Sequence, residues 1–240
     1  MGKPLAGRIA VVTGASRGIG RAIAERLAAD GAEVHGTSTK PDGKLPAGCT
    51  HHQARFEDPA SLESFAGTVS KLSPHILINN VGVTKPYPFE QIEEAHFREF
   101  HRINLLAPIR LCKAAVPGMK RHGWGRIVNI TSIWAVSART GRAVNGATKE
   151  ALDVMTASVA YECAPHGVLA NSVAPNMTET EGLTGVYGRD QIDKLAESVP
   201  MKRLCKPEEI AAFVAWLAGP ENTYITGQHL MIDGGFSRFC

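Results

Sequence analysis

A short apolar strand that runs straight into a glycine-rich loop and then a helix, near the N-terminus, constrains this chain more than any other feature. Arg8-Ile9-Ala10-Val11-Val12-Thr13 is an apolar run with β-branched residues, the composition of a buried parallel strand. Thr13-Gly14-Ala15-Ser16-Arg17-Gly18-Ile19-Gly20 follows it. Ile19, Ile23 and Leu27 then recur at spacing four along one helical face, over 19–29, until Gly31 stops the helix. In this context Gly14 permits a tight turn, Gly18 lets the backbone approach a pyrophosphate, and Gly20 lets the helix pack closely on the sheet. The helix N-terminus faces the phosphates with unpaired N–H groups and its positive dipole end. Ser16, Arg17 and Ile19 belong to the same loop and are expected at the nucleotide.

Strand-like and helix-like segments alternate through the rest of the chain. Strands are expected at Glu33–Thr37, Thr50–Arg55, Ile76–Asn79, Ile127–Ile130, Leu169–Ala174 and Leu230–Ile232. Helices are expected at Ala60–Leu72, about 94–121 with a bend near Pro108, 143–163 and Pro207–Ala218. The Pro- and Gly-containing segment 38–49 reads as a loop, and 176–206 holds two helical pieces at most. No linker or repeat divides the 240 residues. The pattern predicts one α/β domain over 1–240, a Rossmann-type doubly wound parallel sheet of about seven strands with helices on both faces.

Bulk properties narrow the partners. A formal charge of +3 is too small to argue for nucleic acid, and the basic stretch Lys120-Arg121-His122-Gly123-Trp124-Gly125-Arg126 reads as a solvated helix end and turn. The cysteines (Cys49, Cys112, Cys163, Cys205, Cys240) are odd in number and widely spaced, which argues against a disulfide framework or a zinc site, so no metal is expected. The first residues read as a lead-in and a strand, not a signal peptide. No apolar run approaches the ~18 residues that a membrane helix needs. A cytoplasmic location is the expectation.

The end of the second strand normally selects the dinucleotide, because an acid there binds the ribose 2′-hydroxyl and repels a 2′-phosphate. Here the stretch is Gly36-Thr37-Ser38-Thr39-Lys40, with no acid. Hydroxyls such as Thr37, with Arg17 and Lys40 nearby, favour NADP(H) over NAD(H). Lys40 also has the plain reading of a solvated loop lysine.

Taken together, Thr13–Gly20, Asn79-Asn80-Val81-Gly82, Asn104, Ser132, Lys149, Pro175 with Thr178 and Thr180, and Ile225-Thr226-Gly227 through Asp233-Gly234-Gly235 make a recognisable series. In order and spacing the chain resembles the short-chain dehydrogenase/reductase family along essentially its whole length, with bacterial 3-oxoacyl-carrier-protein reductases nearest in appearance. The resemblance implies that Asn79, Asn80, Val81 and Gly82 line the adenosine side. It implies that Asn104 holds a bend in the long helix and a water on the proton path, and that Ser132 hydrogen-bonds the substrate carbonyl. Lys149 would bind the nicotinamide ribose, and Thr178 or Thr180 would meet the carboxamide beside Pro175 and Asn176. A lid would lie at about 177–206. The family commonly forms tetramers through the long helices near 94–121 and 143–163, and the small residues Ala147, Ala151 and Ala157 suit close helix packing.

The resemblance fails at one catalytic position. Asn145, four residues before Lys149 and thirteen after Ser132, stands where the family places a tyrosine. Reducing a ketone puts negative charge on its oxygen, which must be stabilised and protonated. The family's tyrosine does this with its pKa lowered by the lysine cation; an amide can donate a hydrogen bond but is no useful acid near neutral pH. Tyr161 lies more than three helical turns beyond Lys149 and is a poor substitute; Lys149, or water held by Asn104 and Lys149, is the better one. His122 and His166 fall on turns away from the site.

Three further departures stand out. Asn176 replaces a glycine and tolerates a left-handed backbone better than most residues. Arg55 stands where an aspartate is frequent near the adenine, and could stack on the base. His166 replaces an arginine of carrier-protein reductases, which weakens an acyl-carrier-protein partner. Trp134, Val136, Pro86, Tyr87 and Phe89 hint at an apolar substrate pocket. The main expectation is an NADP(H)-dependent carbonyl reductase or alcohol dehydrogenase, with Asn145 either a substitution for tyrosine or bypassed by another proton path. The alternatives are a non-redox isomerase, lyase or cyclase on the same scaffold, and a catalytically silent NADP-binding partner.

Overall fold

The computed structural model describes residues 2–185 and 187–239; Met1, Val186 in the expected lid and Cys240 lie outside the described residues. Strands β1 (Ile9–Val12), β2 (Glu33–Ser38), β3 (Thr50–Gln53), β4 (Ile76–Asn79), β5 (Gly125–Ile130), β6 (Val168–Pro175) and β7 (His229–Ile232) form one sheet. The strand order is β3-β2-β1-β4-β5-β6-β7 and every pairing is parallel. The helices are α1 (Gly18–Ala29), α2 (Pro59–Leu72), α3 (Glu94–Phe100), α4 (Ala107–His122), α5 (Ala143–Cys163), α6 (Glu181–Thr184), α7 (Arg189–Glu197), α8 (Pro207–Leu217) and α9 (Phe236–Phe239). The expected α/β architecture and the loop at 38–49 are both present.

Alternation along β1 explains the two layers. Ala10 and Val12 join a core with Ile23 and Leu27 of α1 and Ile210 and Val214 of α8. Val11 turns to the other face, against Phe65 of α2 and Leu111 and Met119 of α4. The central strands β1 and β4 are apolar on both sides because each side carries helices, whereas the edge strand β3 is Thr-His-His-Gln. Local chemistry sets the ends: Asp58 caps α2 by accepting from Ala60 N–H at 3.0 Å, with Pro59 in the first turn.

Near Pro108, where a bend was expected, the long helix carries a π-helical run over His101–Leu106 that contains Asn104. Pro108 has no N–H to give to the preceding turn, and a wider turn just before it absorbs the fault. The basic stretch is solvated at Arg121 and His122 but not at Arg126, which is 5% exposed. Arg126 lies 4.3 Å over the Trp124 ring and donates to the carbonyls of Gly125, Gly167 and Asn222. Among the described residues, no helix is long and apolar enough to cross a membrane.

Candidate active site

The sheet's strand order reverses between β1 and β4, and the loops leaving their C-terminal ends diverge to open a cleft. Its volume is about 810 Å³, and Gly14, Ser16, Arg17, Gly18, Ile19, Gly20, Thr37, Asn80, Val81 and Gly82 all line it. The sequence-predicted loop is therefore assembled as one surface. Gly14 and Gly18 have φ of 69° and 54°, a region that favours glycine. A Cβ on Gly20 would stand 2.2 Å from Gly14 O and 2.4 Å from Asn80 Nδ2, so this glycine serves the loop and the end of β4 as well as helix packing. Thr13 Oγ1 accepts from Asn80 N (2.8 Å) and Val81 N (3.1 Å), and Asn80 Nδ2 donates to Thr13 O (2.9 Å). Thr37 Oγ1 accepts from Gly14 N at 3.0 Å, which makes it a brace of the loop as well as a wall of the cleft.

Sequence reasoning missed Glu181. Its carboxylate accepts from Gly18 N–H at 3.2 Å, so an anion already stands on the N-terminus of α1. Thr180 covers the same glycine, its Cγ2 3.1 Å from where a Gly18 Cβ would lie. The only signal in the chain was that Glu181 follows the predicted Thr180. At the other end of the cleft, Lys40 and Lys44 line the wall with Asp42 and Glu57. Arg55 does not stack there: its Nε is paired with Glu57 at 2.9 Å, and Ala54 and Phe56 line the cleft in its place.

Asn104, Asn145 and Lys149 converge beside Gly82 and Val83. Asn104 Oδ1 accepts from Val83 N (2.8 Å), and its Nδ2 donates to Val83 O (3.1 Å) and Thr148 Oγ1 (3.2 Å). Asn145, 1% exposed, donates through Nδ2 to the same Val83 O at 3.0 Å. Rotating that amide would set two acceptors against each other, so its orientation is fixed and Oδ1 is left buried without a partner. Lys149 Nζ donates to Ile130 O at 2.7 Å and lies 3.2 Å from a Cβ built on Gly82. Ser132 Oγ accepts from Trp134 N at 3.3 Å, which leaves its own proton free.

Burial pushes the Lys149 ammonium down to about 8. In the unfolded chain it titrates near ~10.4. Between these values the unfolded state binds a proton that the folded state has released, so stability rises with pH across the window and the penalty is complete below it. The penalty is about 3 kcal/mol. Lys149→Met is expected to raise the Tm near neutral pH by about 5 °C or more. The gain should shrink toward pH 10 in calorimetric scans, and a gain independent of pH would contradict the assignment.

Pro175, Asn176 and Thr178 sit at the end of β6 and do not line the cleft; Thr180 does. Asn176 is not left-handed, since Ser73 and Lys202 are the non-glycine residues with positive φ among the described residues. Its side chain does the turn's work instead, donating to Asp233 O at 3.2 Å and accepting from Met177 N at 2.7 Å. Thr178 Oγ1 is occupied by Asn176 O at 2.9 Å.

A second cleft of about 490 Å³ opens between Trp134 and Val136 on one side and Arg142, Gly146 and Ala147 on the other; Asn145 does not line it. Trp134 and Val136 share this cleft with Arg139, Arg142 and Glu150, so its wall is mixed where an apolar pocket was expected. Pro86, Tyr87 and Phe89 are not: Tyr87 stacks on His96 at 3.8 Å and Phe89 is 79% exposed. Tyr161 is 88% exposed, and His122 stacks on His75 at 4.4 Å, both away from Lys149.

Three comparisons bear on this geometry. A family model described as enoyl-(acyl carrier protein) reductase matches residues 14–237. The chain is 37% identical over 239 residues to the 3-oxoacyl-(acyl-carrier-protein) reductase FabG of Vibrio cholerae, covering 96% of this chain and 98% of that one. It is 38% identical over 237 residues to the FabG of Escherichia coli, covering 95% and 97%. A solved structure titled short chain dehydrogenase/reductase family protein superposes with a TM-score of 0.90 at 34% identity, over 98% of this chain and 99% of that one.

Proposed function

The chain belongs to the short-chain dehydrogenase/reductase family, and on that premise we propose that it is an oxidoreductase moving hydride between NADP(H) and a carbonyl or alcohol substrate, with 3-oxoacyl compounds first among the candidates. The observation that carries the reading is the braced glycine loop, whose Gly18 N–H holds a carboxylate where a pyrophosphate would lie. Gly20 leaves room for Gly14 O and Asn80 Nδ2 to brace the loop, and an anion rests on its Gly18 N–H, so the residues present fit a dinucleotide. When bound, the nicotinamide gives or takes the hydride. Gly14, Ser16, Arg17, Gly18, Ile19 and Gly20 would hold its phosphates, and Asn80, Val81 and Gly82 its adenosine side. Pro175, Asn176 and Thr178, at the end of β6 and on the turn after it, would face its carboxamide, and Thr180 lines the cleft.

The chain's own groups divide the rest of the work. Ser132 offers a hydroxyl proton to the substrate oxygen, and buried Lys149 holds positive charge behind it. Asn145 supplies no acid, so the proton comes from Lys149 or from water between Lys149 and Asn104. NADP(H) is favoured over NAD(H) because Arg17, Lys40 and Lys44 line the cleft and no acid ends β2. Segment 177–206 acts as a lid over the cofactor, with Glu181 as its latch. Removing the latch charge, Glu181→Gln, is expected to tighten NADP(H) about two- to five-fold in a fluorescence titration, the worth of one charge at a helix N-terminus. Weaker binding by the variant would sink the latch.

A homotetramer is the expected assembly, supported by the exposed face of α5 that carries Ala147, Val154 and Ala157. A cytoplasmic location fits the family, and docking of an acyl carrier protein is the least supported partner because His166 stands where its arginine would be. The test is a panel of ketones, 3-oxoacyl thioesters and alcohols with NADPH or NADP, for this chain and for Asn145→Tyr. Cofactor binding without turnover in either protein would refute the redox reading.

A further inference from the structure

We propose that His51, a half-buried residue of β3 that does not itself line the cleft, is a positioning residue for the 2′-phosphate of NADP(H): through Ser38 it braces the turn over 40–43 and so sets the choice between NADP(H) and NAD(H). The proposal rests on the redox reading for its cofactor. In the cleft wall beyond β2, Lys40 and Lys44 stand with Asp42 and Glu57. Cations and acids so mixed discriminate weakly by charge alone, and the outcome depends on how firmly the turn holds the lysines.

The turn is built around one carbonyl. Lys40 O accepts from Gly43 N at 3.3 Å, closing a β-turn whose sequence, Lys40-Pro41-Asp42-Gly43, has Pro second and Gly fourth. The same oxygen accepts from Ser38 Oγ at 3.0 Å. Ser38 has one hydroxyl proton, and that bond uses it. The His51 imidazole, 2.8 Å from the same Oγ, is therefore the donor, through Nε2–H. With its proton committed, Ser38 is a strut of the turn and not a donor to phosphate, although it lines the cleft.

Two neighbours complete the brace. A Cβ on Gly43 would overlap Ser38 Oγ and lie 2.7 Å from Ser38 Cβ and 2.9 Å from His51 Nε2, so the turn folds directly onto this pair. His51 reaches Ser38 diagonally across the strands because the residue opposite it on β2 is Gly36. Gln53, on the same side of β3, donates to Thr39 O at 3.2 Å and ties down the residue before the turn. The brace acts on one cofactor only. NADP(H) brings a 2′-phosphate to the end of β2, where NAD(H) has a hydroxyl. A turn ordered in advance spares the phosphate the entropy of ordering Lys40 and Lys44, and NAD(H) has no charge there for either lysine to meet. A histidine that only held β3 in the sheet would affect both cofactors alike.

The experiment is calorimetric titration of the full chain, His51→Ala, His51→Gln and Gly43→Ala with NADPH and with NADH. The unaltered chain is expected to prefer NADPH. His51→Ala should weaken NADPH about five-fold, the worth of one hydrogen bond, and NADH less than about two-fold. His51→Gln puts an amide N–H where Nε2–H stood, on a side chain that cannot become cationic, and should keep most of the preference. Gly43→Ala attacks the same contact from the other side, should lose the preference too, and keeps the test open if His51→Ala does not fold. An unaltered chain without the preference, equal losses for both cofactors, a preference intact in Gly43→Ala, or His51→Gln as weak for NADPH as His51→Ala overturns the brace; the last would assign the effect to imidazolium charge. Each of these leaves the redox reading standing, whereas an unaltered chain that binds neither dinucleotide defeats both.

Discussion

Asn145→Tyr is expected to raise ketone reduction by ~10²–10⁴-fold, the usual worth of a positioned general acid. That is roughly 3–5 kcal/mol of barrier. Ser132 retains a free hydroxyl proton and Lys149 stays buried one helical turn from position 145, so the other parts of the apparatus are in place. What is missing is a group that can give up a proton: the amide Nδ2 is committed to Val83 O, and Oδ1 can only accept. The gain should fall in kcat, with cofactor affinity little changed. Because position 145 is buried, the larger ring carries a packing cost of ~1–3 kcal/mol, and the Tm should be read beside the kinetics. Unchanged turnover in a folded, cofactor-binding variant would mean that the proton already travels by another route.

Gly20→Ala is expected to cripple the nucleotide site. The new Cβ would lie 2.2 Å from Gly14 O and 2.9 Å from Gly14 C, and these backbone atoms have no rotamer by which to retreat. The loop must shift, at a cost of ~1–3 kcal/mol in stability. Loss of cofactor affinity should be on the order of 100-fold, about 2.7 kcal/mol. Gly67→Ala is the control: nothing lies within 4 Å of its Cβ site on α2, and stability should rise by ~0.5–1 kcal/mol. Cofactor titration and thermal melts of both variants settle the point, and near-wild-type affinity in Gly20→Ala would contradict the cradle.

The parts of this fold that were legible in the sequence are those with a local cause. Val11 and Val12 face opposite cores because strand neighbours must, and Ile23 and Leu27 share a face because four residues nearly complete a turn. The glycine loop was legible because its conformation excludes side chains. What stayed hidden depends on residues far apart in the chain. Glu181 reaches Gly18 across 163 positions, and nothing near either residue announces it. Asn176 misled for a different reason: its side chain makes the bonds that a left-handed backbone was expected to make. Arg55 misled because a two-residue ion pair with Glu57 captured it locally.

The double grip on Val83 has a consequence for how this chain could change. Two amides, from the π-helical run and from α5, hold one carbonyl, and one of them is the residue that stands in the acid's place. Position 145 has become a fastener for the strand-to-helix connection, so chemistry and order compete for it. Restoring a phenol there would return the acid and release half of the clasp on this carbonyl, leaving Asn104 as its one amide partner. A lineage that carries this asparagine would therefore meet a local loss of rigidity on its way back to a tyrosine, which makes the present arrangement harder to leave than a single substitution suggests.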